Sequence, residues 1–242
     1  LLVKKLYNYQ VKPNKEKKEA KLNTENGNNI FYWDMMYPGA EKVKDMILWW
    51  ASLNGPMALP GNYKVSLQVG ETTKSQNFTI LKNPISETNL ADATAQFNFI
   101  NDINTKVTEI HKALKNVKKV RAQVTSLQKS ISDKLKHSEL LDYTDSLLKE
   151  MKVIEETLYQ TKSKSNQDPL NFPIRLNNKL AHLNSLTRIG SYAPTEQAIN
   201  FKNEITEEID NQLSKLYDLF NKKVKVLNQK VKDSQIDLIQ LD

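Results

Sequence analysis

Glycoside hydrolysis needs two carboxyl groups facing each other across a cleft. The nearest candidates are Glu155-Glu156 and Glu207-Glu208. Neighbours on a helix diverge by about 100°, so neither pair can face itself across a sugar, and both read as solvated helix faces. The three histidines, His111, His137 and His182, lack the His-x-x-x-His spacing of a helical metal site. Cysteine is absent, which removes thiolate nucleophiles, disulfides and Cys-based zinc sites together. No nucleophile-elbow motif marks a serine. No catalytic residue, cofactor site or metal site is therefore assigned. The residues best suited to holding a ligand are aromatic: Trp33, Tyr37, Trp49 and Trp50. Such rings can stack on sugars, but they can equally fill a core or an interface between domains. A second unusual stretch runs from Asp168 through Asn171, Phe172, Arg175 and Asn177 to Asn178. Its Asn and Pro alternate with apolar residues. It reads as a buried connector whose polar side chains cap helices, with Asn171 opening one that has Phe172 and Pro173 in its first turn.

The elements that position these residues fall into two halves. Five of six glycines, five of eight prolines and all three tryptophans precede residue 87. Turn residues punctuate strands and are excluded from long helices, so the division falls near Pro84-Ile85-Ser86. In the first half, Ile30-Phe31-Tyr32-Trp33 and Met46-Ile47-Leu48-Trp49-Trp50 have strand-like composition. Tyr63, Val65, Leu67 and Val69 alternate with polar residues, the period of a half-buried strand. Gly70-Glu71 then turns the chain back through Phe78 and Ile80, and Pro60-Gly61 suits the centre of a type II turn. Residues 12–21 read as a solvated loop, and 1–3 as strand-like. This half is expected to be a small antiparallel β-sandwich with Trp33 in its core, over residues 1–85.

The second half has helical grammar over 86–242. Phe97, Ile100, Ile103, Val107, Ile110, Leu114, Val117, Val120, Val124, Leu127 and Ile131 recur at steps of three and four. That seam resembles a coiled coil and predicts a helix over about 89–132, capped by Ser86. Further helices are expected over about 138–163, 172–188 and 194–232, with Gly190 as a stop and Pro194 as a start. The fold class is thus α+β in two domains, a sandwich followed by a helical bundle.

The net charge of +7 raises the question of nucleic acid. Residues 1–21 hold seven Lys against two Glu, leaving +2 for the rest, and only three Arg occur. Base readout and bidentate phosphate grip favour Arg, so nucleic acid is not an expected partner. No apolar run reaches the ~20 residues of a transmembrane helix. The opening at Leu1, without Met, reads as a processed or excised fragment.

Asn29-Ile30-Phe31-Tyr32-Trp33-Asp34-Met35-Met36-Tyr37-Pro38-Gly39-Ala40-Glu41 and Gly55-Pro56-Met57-Ala58-Leu59-Pro60-Gly61-Asn62-Tyr63-Lys64-Val65 resemble the Ig-like domain of flagellar hook-capping proteins. With Leu158-Tyr159-Gln160-Thr161-Lys162 and the stretch from Gln167 to Leu180, nearly the whole chain resembles the C-terminal region of BNR-repeat, sortilin-like glycosyl hydrolases, many from Bacteroidetes. The resemblance implies an exported protein whose β-propeller lies upstream in the same polypeptide and holds any hydrolase chemistry. It implies for this chain a non-catalytic structural or interaction module, docking that propeller or another exported protein. The alternative it leaves open is a carbohydrate-binding accessory module using the aromatics.

Overall fold

The computed structural model describes residues 26–131, 133, 135–234 and 236. The expected strand at 1–3 and loop at 12–21 lie outside them. Two strands, β1 (Gly61–Val69) and β2 (Thr72–Ile80), precede the helices α1 (Leu90–Ser130), α2 (Ser138–Leu158), α3 (Leu176–Thr187), α4 (Glu196–Asp218) and α5 (Lys225–Asp233). A π-helical segment, Leu219–Val224, joins α4 to α5. A short 3-10 turn, Asp168–Leu170, lies between α2 and α3.

The expected Ig-like sandwich is not there. Among the described residues the only sheet has two antiparallel strands, with Gly61 opposite Ile80 and Val69 opposite Thr72. The apolar runs 30–33 and 46–50, expected as strands, have no ladder partner. In the second run two backbone donors go to side chains of the bundle: Ile47 N–H donates to the hydroxyl of Tyr159, which caps the end of α2, and Trp49 N–H to Asn178 Oδ1 on α3. A strand needs its backbone groups paired by another strand. Here side chains of the bundle take that place, so apolar composition does not become a sheet. Pro60-Gly61, expected in a type II turn, opens β1 with Gly61 at φ 157°.

The core lies among the helices. Ile103, Val107, Ile110, Leu114 and Val117 of α1 meet Leu147, Met151 and Leu158 of α2, Leu180 of α3, and Ile209, Leu213 and Leu216 of α4 in one apolar cluster. Each recurs at helical spacing, so each helix buries one stripe and solvates the rest. α1 begins at Asn89, whose side chain accepts from Asp92 N–H; Ser86, the expected cap, lies three residues upstream. α1 would measure on the order of 60 Å at 1.5 Å per residue. α3 begins at Leu176 rather than at 172. Proline disfavours helical geometry in the residue before it, and Phe172 precedes Pro173. Arg175 therefore stands at the N-cap, extended and without a capping side chain, and Asn171 closes the 3-10 turn instead. The Tyr143 hydroxyl donates to the Lys223 carbonyl, within the π segment where the ordinary i to i−4 ladder is interrupted.

Candidate interaction site

Residues 37–58 form a strap that crosses the bundle and returns on itself. Tyr37 N–H donates to Pro56 O, Ala40 N–H to Leu53 O, and Ala58 N–H to Met35 O. The two arms approach so closely that a Cβ on Gly39 would overlap the Leu53 carbonyl, and one on Gly55 the Tyr37 carbonyl. Only glycine fits there. Met46, Leu48, Ala51 and Leu53 pack on the helical core.

Two polar rows on the helices hold the strap. On α1, Asn104, Thr108, His111 and Lys115 are spaced by four, three and four residues, so they share one face. Asn104 Nδ2 donates to Asn54 O, and Thr108 Oγ1 accepts from Glu41 N–H. His111 Nδ1 bonds the Glu41 carbonyl, and Lys115 pairs with the Glu41 carboxylate. On α3, the Asn178 carboxamide bonds both the N–H and the carbonyl of Trp49. The Ala181 carbonyl accepts from Ser52 N–H, Asn184 Nδ2 donates to Asn54 O, and Arg188 Nη1 donates to Gly55 O. Asn104, His111, Asn178 and Asn184 are all buried. Buried polar groups are costly unless paired, and here most of their partners are strap backbone.

His111 illustrates the electrostatics. Burial pushes its imidazole below the usual histidine range, against the Glu41 carbonyl, which raises it, and the Lys115 charge, which lowers it further. A carbonyl only accepts, so Nδ1 carries the proton and the buried Nε2 keeps a bare lone pair without a partner.

The aromatics divide by position. Trp33 is half-buried, not a core residue, and meets Tyr63 and Phe78 at ring-centroid distances of 6.0 and 6.4 Å. Burial and the neighbouring Tyr37 push the Tyr63 phenol up to about 12. Tyr37 sets its ring edge-on to Phe97 at 4.8 Å. Trp49 and Trp50 do not alternate across a strand: Trp50 takes a left-handed φ of 51°, and the two rings lie 5.7 Å apart. Trp50 is 74% exposed. Above the Trp33 cluster no other element among the described residues covers the hairpin. Tyr63, Val65, Leu67 and Val69 lie on one face, yet Val65, Leu67 and Val69 are more than half exposed. The opposite face is polar, with Ser66 bonded to Ser75 and Asn62 to Thr79.

Of the connector residues, Asp168, Asn171 and Phe172 serve local structure. The Asp168 carboxylate accepts from Lys164 N–H, Ser165 N–H and Ser165 Oγ, and these bonds hold its carboxyl below the usual range. Asn171 and Phe172 donate their N–H groups to the Asp168 carbonyl, and Lys162 sits over the Phe172 ring. Arg175 is exposed, while Asn177 and Asn178 are buried on α3. Of the acidic pairs, Glu155 is buried against Arg121, Glu156 approaches Lys152, and Glu207 and Glu208 are exposed. Among the described residues no three His, Asp or Glu side chains group to hold a metal, and no helix is long and apolar enough to cross a membrane.

Sequence reasoning singled out Asn178 only as part of a connector, and did not single out Asn104, Thr108, His111, Asn184 or Arg188 as strap contacts. Polar residues at steps of three and four beside an apolar stripe are equally the pattern of a solvated helix flank, so the spacing alone did not mark them. No family model, characterised protein or solved structure matches the chain.

Proposed function

We propose that this chain is a non-catalytic structural and interaction module: a helical bundle that holds a β-hairpin out through a pinned strap, as a docking arm. One observation carries the reading. The hairpin leaves Val65, Leu67 and Val69 exposed on one face while its base is anchored by Trp33, Tyr63 and Phe78. A two-stranded hairpin is marginal alone, and an uncovered apolar face favours a partner surface. The resemblance of nearly the whole chain, carried by residues 158–162 and 167–180 together with 29–41 and 55–65, suggests which partner, an exported propeller in the same polypeptide. The hairpin would then brace that propeller. Limited proteolysis of the full gene product, with and without Leu67→Asp, tests this. The substitution is expected to leave the bundle resistant and to make the rest of the polypeptide more sensitive. Equal resistance would sink the docking arm.

Trp50 favours a second reading, a carbohydrate-binding module. A large aromatic held exposed in a left-handed conformation is strained, and such strain concentrates at functional positions. Titration with neutral oligosaccharides, read by tryptophan fluorescence in the protein and in Trp50→Ala, decides it. A response that survives in the variant would exclude Trp50 as the platform.

A further inference from the structure

The Gln128 side chain bonds Thr144, and Arg121 bonds Glu155, so α1 and α2 run antiparallel. On one flank of their seam the residues turn polar. α1 presents Lys118, Arg121 and Thr125, spaced by three and four, and α2 presents Lys149, Lys152 and Glu156 at the same steps. Asp45 of the strap and Tyr159 and Ser163 beyond α2 complete an open groove of about 700 Å3.

Three features separate this groove from an ordinary solvated flank. Glu155 is 4% exposed, and its two oxygens both face the Arg121 guanidinium. The Arg121 side chain itself is 36% exposed, so the pair fixes a guanidinium in the groove wall that a ligand can still reach. The cations are also not all matched. Arg121 is taken by Glu155, and Lys152 lies 3.9 Å from Glu156. Lys118 and Lys149 have no ion-pair partner among the described residues. Finally, the Ser163 hydroxyl oxygen is sealed from solvent without a hydrogen-bond partner, although Ser163 lines the groove. A buried polar atom left unpaired is unfavourable, and rotation of the Ser163 side chain toward the groove would let a ligand hydroxyl pair it.

We propose that this groove binds a small anionic sugar, a sugar phosphate or a sugar acid. Lys118 and Lys149 would take the anionic group. Ser163 and the carboxylate of Glu156 would take ring hydroxyls, which can donate to an acid as well as accept from a hydroxyl, while Glu155 stays bound to Arg121 and holds it at the wall. The volume falls within the range of small-molecule sites. The three acids of the walls, Asp45, Glu155 and Glu156, oppose a continuous phosphate backbone, so a nucleic acid is disfavoured in the same place. This site is independent of the hairpin and of the docking arm.

The test uses the 242-residue chain and isothermal titration with glucose 6-phosphate, glucuronate, glucose and inorganic phosphate. At least one anionic sugar is expected to bind with a Kd below about 10 mM, with glucose weaker by about tenfold or more, the factor that one lost charged contact supplies. The two anionic probes distinguish a phosphate from a carboxylate preference. Lys118→Met with Lys149→Met is expected to weaken binding by about tenfold or more, and Ser163→Ala by a smaller factor. Both lysines line the open groove, so circular dichroism should stay unchanged; if the double variant fails to fold, Lys149→Ser alone replaces it. Absence of binding by both anionic sugars overturns the proposal. So does glucose or inorganic phosphate binding as tightly as either, or affinity unchanged in the lysine variant.

Discussion

The carboxamide of Asn178 pairs with both backbone groups of Trp49: its Oδ1 lies 2.7 Å from Trp49 N, and its Nδ2 lies 2.9 Å from Trp49 O. One helix side chain thus does for the strap what a neighbouring strand does in a sheet. Asn178→Ala leaves two backbone groups without partners. It is expected to cost about 2–4 kcal/mol, from roughly 1–3 kcal/mol for each unsatisfied group and partial rescue by water. Urea denaturation measures the loss, and protease cleavage near Trp49 locates it. A cost below about 0.5 kcal/mol, the size of an ordinary surface change, would mean that the strap holds without this pair.

Gly39 and Gly55 face backbone that a Cβ would overlap, whereas Gly70 at the hairpin turn meets nothing and needs only its φ of 59°. Gly39→Ala and Gly55→Ala are therefore each expected to cost about 1–3 kcal/mol or more by forced backbone movement. Gly70→Ala should cost about 1 kcal/mol of conformational strain and leave the bundle intact. Thermal melts of the three variants give the order. Gly70→Ala as the most damaging would contradict the strap geometry.

His111 links stability to pH. Its folded pKa lies below the unfolded value of about 6.5, because burial disfavours the imidazolium. Below about 6.5 the unfolded chain binds the proton more readily than the folded one. Its stabilising contribution is therefore complete above about 6.5 and is lost as pH falls from there through the folded value. Lys115 opposes protonation of His111, while the Glu41 carbonyl and carboxylate favour it. In His111→Gln this part of the acid dependence should vanish, though the variant starts less stable. Melting temperatures at pH 7.5, 6.5 and 5.5, in both proteins, are the measurement; parallel profiles would rule His111 out.

Val117 is fully buried among the helices, and Leu67 is 52% exposed on the hairpin. Val117→Asp places an unpaired charge in the core and is expected to cost more than about 4 kcal/mol, unfolding the bundle. Leu67→Asp should change bundle stability by no more than about 0.5 kcal/mol. Far-ultraviolet circular dichroism of both variants checks the contrast. Comparable helix loss in the two would mean that hairpin and bundle unfold as one.

Trp33 caps the Tyr63 and Phe78 rings but remains half-buried. Trp33→Ala is accordingly expected to cost about 1–2 kcal/mol, well under the ~3–5 kcal/mol of a fully buried aromatic. It should also admit water to the Tyr63 phenol and bring its titration down from about 12 toward 10. Ultraviolet titration at alkaline pH reads that shift. An unmoved phenol would show that Trp33 does not shield it.

The helical stripes were legible because helix periodicity is local. Phe97, Ile100, Ile103, Val107, Ile110, Leu114 and Val117 are spaced so that any helix through them has one apolar side, and all seven are buried. The hairpin was legible for the same reason: alternation from Tyr63 to Val69 and a glycine at the turn concern adjacent residues alone. The destination of Met46, Ile47, Leu48, Trp49 and Trp50 was not. Their composition suits a strand, but a strand exists only where another backbone pairs with it, and that is a long-range fact. Asn178 lies 129 residues from Trp49, and Tyr159 lies 112 from Ile47. Nothing local distinguishes a polar residue that will grip a distant strap from one that will face water. The sequence by itself determined which segments could be helix and where a hairpin could turn. Only the tertiary structure decided that residues 46–50 would lie against helices instead of in a sandwich, because backbone pairing is satisfied by whatever partner the fold brings near.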